Sequence, residues 1–169
     1  MGRNRNTTTA LVLSLAVLGM AVDARADSPG ADCQRLHGSI DETRIPSDAT
    51  ISRLLGTVTG TLNGASTVYI TRLNPPASAA SFDVFLTKKG DVLWAVGAST
   101  RTPVPGQPGE FISHVDLTIT GGFGRYEGAT GTMTFDGFSH AGSVPQTAEL
   151  IYRGEVCGPN VKAHGHDED

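Results

Sequence analysis

The sequence predicts an all-β fold, a small closed antiparallel β-barrel of eight strands with its two ends clipped by one disulfide. Three observations predict it. Beyond residue 27 almost nothing has the periodicity of a helix, and short runs rich in threonine and branched residues alternate with glycine and proline. Two cysteines, Cys33 and Cys157, stand at the two ends of that β-rich stretch. Finally, the chain opens on an export signal, which leads to an oxidising compartment where paired cysteines persist.

The signal has three parts. Arg3 and Arg5 make a positive start, Ala10 to Val22 form an apolar run, and Ala24-Arg25-Ala26 supplies small residues for cleavage. That run is well short of the ~20 residues a spanning helix needs. The expected organisation is a cleaved signal peptide over 1–26, a barrel domain over 27–158 and a disordered acidic, histidine-bearing tail over 159–169. The protein is expected to be secreted or periplasmic, with no membrane attachment after cleavage. The whole sequence has a net charge of −4, and losing Arg3, Arg5 and Arg25 with only Asp23 makes the mature chain more acidic. Such a surface repels phosphate backbones, so nucleic acid is not an expected partner. Joining Cys33 to Cys157 would close a loop of about 120 residues, a constraint on the unfolded chain of roughly 4–5 kcal/mol. Free thiols or a metal pair are the alternatives, and the latter needs more ligands than stand beside either cysteine.

The elements follow in order. A short strand is expected near Leu36 to Ile40. Leu54 to Leu62 and Ser66 to Arg72 form a hairpin about Asn63-Gly64, ended by Asn74-Pro75-Pro76. Phe82 to Thr87 and Asp91 to Ser99 form a second around Lys88-Lys89-Gly90. Arg101 to Glu110 reads as a loop, either a plain connection or a lid over the barrel mouth. Phe111 to Thr120 is the clearest strand: Phe111, Ser113, Val115, Leu117 and Ile119 share its apolar face, and Ile112, His114, Asp116, Thr118 and Thr120 the more polar one. Thr130 to Phe138 and Thr147 to Val156 complete the set, enough for a closed sheet without exposed edges.

One motif stands out, running from Gly121, Gly122 and Gly124 through Arg125, Tyr126, Gly128 and Ala129 to Gly131. Dense glycine permits left-handed backbone at a tight turn, and Tyr126 offers a ring to cover the bare surface. A phosphate cradle is not expected, because a threonine-rich strand follows where such cradles need a helix N-terminus. Preceded by Leu117-Thr118-Ile119-Thr120, this segment resembles the signature of the allene oxide cyclase and dirigent barrel superfamily, including its secreted bacterial members. The resemblance spans roughly residues 54–157 and is specific only from Leu117 to Phe135. Dirigent proteins are similar too in pairing a cysteine near each end. The resemblance implies an eight-stranded barrel whose interior holds a small hydrophobic molecule and whose wall constrains a reactive substrate, as a cyclase or isomerase does. Related barrels associate as trimers or dimers, so a homo-oligomer is a further expectation. No catalytic residue of the family has a local match here.

Candidate site residues are therefore read from chemistry alone. His114 and Asp116 lie two apart on one strand face and would form an acid–base couple if that face lined a cavity; facing solvent, they are ordinary surface groups. Tyr69, Trp94 and Tyr152 carry polar handles on rings and would either grip a ligand or fill the core. Arg125 offers a fork for a carboxylate, and Glu149 with Arg153 a surface pair. His164 and His166 tempt a metal reading, but a flexible end lacks a preorganised site; neither metal nor cofactor is expected. Two functions stay open: a binder of a small hydrophobic molecule with cyclase or isomerase activity, or a non-catalytic structural or interaction module. A cleft holding His114 or Tyr69 would mark the first, and an interior plugged by Phe82, Phe85, Trp94 and Leu117 the second.

Overall fold

The computed structural model describes residues 32–46, 51–74 and 78–162. The proposed signal peptide, Asn74-Pro75-Pro76 except for its first residue, and His164 and His166 of the tail lie outside them. Eight strands follow one another: β1 (Asp32–Ile45), β2 (Ile51–Val58), β3 (Gly64–Asn74), β4 (Ser78–Thr87), β5 (Val92–Pro103), β6 (Glu110–Phe123), β7 (Thr130–His140) and β8 (Thr147–Gly158). Each pairs antiparallel with the next, and β8 returns to β1, so the meander closes into a barrel with no free edge. Cys33 stands opposite Cys157 across that β1–β8 seam, and the two are joined as a disulfide. The stated fold class therefore holds in strand number, closure and clip.

The local differences have physical reasons. The strand expected at Leu36 to Ile40 extends to fourteen residues, because β8 pairs with it from Asp32 to Thr43 and β2 takes over from Ile40 to Ile45. The expected Asn63-Gly64 hairpin turn is instead a 3-10 turn over Gly60–Leu62, with Gly64 already in β3. Leu62 gains from this arrangement: the turn folds it inward, where it is fully buried as a plug in the barrel end. Gly64 itself is needed for close approach, since a Cβ there would lie 2.0 Å from the Leu86 carbonyl oxygen. Residues 159–162 lie against the end of the barrel, with Val161 buried against Gly158.

The glycine motif closes the same end. Between Trp94 and Ala95 the β5–β6 register slips by one residue, a bulge that turns β6 into a second 3-10 turn, Gly124–Tyr126. Gly124 takes a left-handed φ of +68° there. Tyr126 is buried and lies over Gly122, where an added Cβ would meet the Tyr126 Cβ at 2.5 Å. The expectation that Tyr126 covers the glycine surface is thus met. Leu36, Leu62, Phe85, Leu93, Met133 and Tyr152 fill this half of the interior, with Phe85 stacked on Phe135 at 6.1 Å.

Candidate functional site

The opposite half of the barrel carries different side chains. On β4 the apolar and polar sets are reversed relative to a solvent-exposed sheet: Phe82, Val84 and Leu86 point out, while Ser81 and Asp83 point in above Phe85. β1 does the same, turning Glu42 and Arg44 inward beyond Ile40. β5 contributes Ser99 and Arg101, β6 Ser113, and β7 Ser139. Short and polar side chains do not fill the bore. A cavity of about 220 Å³ remains at this end, bordered by Arg44, Ser52, Ile70, Arg101, Phe111 and Gln146. A deeper recess of about 40 Å³ shares Leu54, Arg101 and Ser139 with it and reaches Glu42, Asp83 and Ser113.

The polar groups are held in place. The Arg44 guanidinium donates to the Gln146 side-chain oxygen at 2.7 Å and to the Ser52 hydroxyl at 2.9 Å. Ser81 donates to the Asp83 carboxylate at 2.7 Å, and the Ser113 and Ser139 hydroxyls bond each other at 2.8 Å. Burial dominates the acids' chemistry. It pushes the Glu42 carboxyl up to about 8, helped by the nearby charge of Asp83 and opposed by that of Arg101. Burial also pushes Asp83 up to about 7, against the opposing bond from Ser81. Two carboxyls that keep protons near neutrality, beneath two guanidinium groups, can donate and accept protons where water is scarce.

None of the residues singled out from the sequence lines this cavity. His114 and Asp116 do share a face, and it is the outer one, with side chains 46% and 68% exposed. There the imidazole bonds Asp136 at 2.6 Å and Asp116 at 3.1 Å. The Asp136 bond leads in raising the His114 pKa and, reciprocally, in lowering that of Asp136. Arg153 bonds Asp136 at 2.9 Å, which replaces the expected pairing with Glu149. Tyr69 also faces out, against Phe82 and beneath the Arg53 guanidinium. Trp94 covers Gly121 from outside, so of the four expected plugs only Phe85 and Leu117 are interior.

Tyr152 is interior but serves the filled half. Its hydroxyl donates to the Thr59 carbonyl at 2.7 Å and accepts from the Leu62 N–H at 3.0 Å, which fastens the plug. Arg125 lies at that closed end as well, 3.4 Å from Asp91 and over the Tyr126 ring, far from any ligand at the mouth. The loop expected over Arg101 to Glu110 is shorter, because β5 runs to Pro103 and β6 begins at Glu110, and what remains stands beside the mouth. Its Gly109 carbonyl accepts from the Ala141 N–H at 2.7 Å, and Glu110 pairs with His140, so it is tied to the β7–β8 turn.

The residues missed were Glu42, Asp83, Arg44 and Arg101. A signal was present: Asp83 sits between Phe82 and Phe85, and one polar residue inside an apolar strand must face either water or a polar cavity.

Comparison with known proteins adds little to the site. No family model matches the sequence, and no curated protein matches it. Among solved structures, the chain is similar to the pterocarpan synthase dirigent protein GePTS1. The identity is 11% over 89% of this chain and 98% of that one, at a TM-score of 0.31. At that level the likeness transfers no residue role.

Proposed function

We propose that this protein binds a small molecule in the open half of its barrel and holds it against the proton-bearing pair Glu42 and Asp83. The observation that carries the reading is the cavity of about 220 Å³ joined to a recess that reaches two buried carboxyls. An apolar cavity of about 150 Å³ admits a benzene, whereas drug-sized ligands occupy about 300 Å³ or more. The volume therefore suits a ring-sized ligand, with any longer chain emerging through the mouth. Leu54, Ile70 and Phe111 give that ring apolar contact, and the serines and arginines orient its polar groups.

The finer reading is a cyclase or isomerase of the allene oxide cyclase or dirigent kind. Its support is chemical: a rigid wall restricts the conformers of a reactive substrate, and a neutral carboxyl near pH 7 supplies a proton as charge develops. Export to an oxidising compartment is part of the same proposal, supported by the disulfide. A non-catalytic module is the second reading, favoured by the half of the bore that its own side chains fill.

Native mass spectrometry of the purified protein with phenolic and fatty-acid ligands tests the binding reading. One-to-one occupancy is expected, and Ser139→Trp, which fills the cavity, is expected to abolish it. No occupancy of the parent protein, or equal occupancy of the blocked variant, overturns the proposal. Trp94 fluorescence is not a suitable readout, because that ring is outside the barrel.

A further inference from the structure

The outer wall of the barrel is divided as the bore is. Around β7, β8 and β1 it is charged, with Asp136, Glu149, Arg153, Glu155, Arg35 and Asp41 turned to water as on an ordinary solvated sheet. Across β3, β4 and β5 the pattern is reversed. Phe82, Val84 and Leu86 point outward from β4, and the ladders set Tyr69 and Val96 on either side of Phe82 and Trp94 beside Val84. Phe82, Leu86 and Val96 are 41%, 49% and 42% exposed. Every outward residue from Ala65 to Thr71 on β3, from Ala80 to Leu86 on β4 and from Val92 to Ala98 on β5 is uncharged. Filling of the bore does not account for these groups, because the opposite set of each strand lines it.

We infer that this wall seats a second copy of the chain, so that the protein self-associates side by side through β3–β5 and leaves each barrel mouth uncovered. Neighbouring strands lie ~4.8 Å apart and same-face residues ~6.8 Å apart, so three strands by four rows make a face of about 400 Å² in plan. Leu55 on β2 and Phe123 on β6, 45% and 67% exposed, extend it by one strand on each side. With those flanks and the relief of its side chains it approaches the ~600–800 Å² that each partner of a small stable complex buries. Rings and branched groups hold the centre and charge is kept to the margin, which is the anatomy of a protein interface. At that margin Arg53 stands on the β2 side, over Tyr69, and Asp116 on the β6 side, paired with Ala98. Setting the β2 flank of one copy against the β6 flank of the next opposes unlike charges, and the neutral centre meets itself without like-charge repulsion. Lys88 and Lys89 stand past the closed end of the face, exposed to water. A bilayer is the poorer match, because a chain of net charge −4 is repelled by anionic headgroups.

Sedimentation equilibrium of the purified protein from about 0.1 to 100 µM tests this, followed in parallel by the emission of Trp94, the sole tryptophan. A mass of at least two chains is expected at the upper end. As dilution brings the mass down to one chain, the Trp94 emission is expected to shift to the red with the same midpoint. Phe82→Glu combined with Leu86→Glu, at two positions that water already reaches, is expected to weaken association about a hundredfold or more, and Ile151→Glu on the charged wall to change it less than about twofold. A single-chain mass at every concentration overturns the inference. So does an oligomer that the double substitution leaves intact, or one whose dissociation leaves Trp94 emission unchanged, since either puts the contact elsewhere. A monomer that binds vesicles of phosphatidylcholine and phosphatidylglycerol, and loses them in the double variant, gives the face to lipid and overturns the inference as well.

Discussion

Around and below Phe85 the bore of the barrel is solid. Leu62 plugs it from the β2–β3 turn, Tyr126 seals the glycine motif, and Tyr152 bonds the plug to the wall. Above Phe85 the same eight strands carry Ser81, Asp83, Ser99, Ser113 and Ser139, and the bore is open. The β6–β7 and β7–β8 ladders run unbroken through both halves, and the β5–β6 bulge lies in the solid one. Side-chain volume and polarity are what separate the two. One half spends its interior on burial, which stabilises the fold; the other retains charge in low dielectric, which costs stability and supplies chemistry.

That division is broken or sharpened by substitutions in each half. The largest effect is expected from Phe85→Ala, which removes a fully buried ring stacked on Phe135 and leaves a cavity in the solid half. A loss of about 3–5 kcal/mol is expected in chemical denaturation, with an unchanged preference among ligands. A loss below about 1 kcal/mol would mean that this half is not the structural one.

The open half is expected to show itself through pH. Glu42 has a folded-state value of about 8 against 4.5 for the free side chain. Below about pH 4.5 both folded and unfolded chains hold its proton. Between about 4.5 and 8 the unfolded chain releases it while the folded chain does not, so unfolding gains and stability falls as pH rises. Asp83, raised to about 7, adds to the same slope. The decline from pH 5 to pH 8 is expected to be on the order of 2–4 kcal/mol, and Glu42→Gln to reduce it and to stabilise the fold at pH 8.5. Thermal unfolding across that range gives the answer.

A smaller effect is expected from Tyr152→Phe. Losing one hydroxyl leaves the Leu62 N–H and the Thr59 carbonyl without that partner, at a cost of about 1–3 kcal/mol by denaturation. Hydrogen exchange at Leu62 is expected to quicken. Smallest of all is His114→Ala on the outer face, where the ion pairs are solvated. Its effect on stability is expected to stay within about 0.5 kcal/mol, and on ligand occupancy within twofold. A larger change in binding would move the site to the outside of the barrel.

Much of the filled half was legible in the sequence and little of the open half. Leu117 and Ile119 alternate with Thr118 and Thr120 because their inner side packs in the apolar core, so a period of two marks the inward set. Cys33 and Cys157 bracket a closing sheet and meet at its seam. The glycines announce their turn because their backbone needs are local. The site obeys no such local rule. Asp41-Glu42-Thr43-Arg44 lies beyond the strand expected at Leu36 to Ile40, yet pairing with β2 throughout and with β8 as far as Thr43 makes it strand and turns Glu42 and Arg44 inward. Asp83 stands between apolar neighbours, and only the emptiness above Phe85 makes an inward carboxyl tolerable. His114 and Asp116, with the more familiar chemistry, follow the polar-out pattern of an ordinary sheet face.

A carbon-detected NMR titration of the Glu42 side-chain carboxyl, assigned by its loss in Glu42→Gln, addresses the central division most directly. The arrangement described predicts a midpoint near 8 in the folded protein, lowered when Asp83→Asn removes the neighbouring charge. A midpoint near the ordinary 4.5 would mean that Glu42 is solvated, that the upper bore is no enclosed site, and that the contrast between the two halves does not exist.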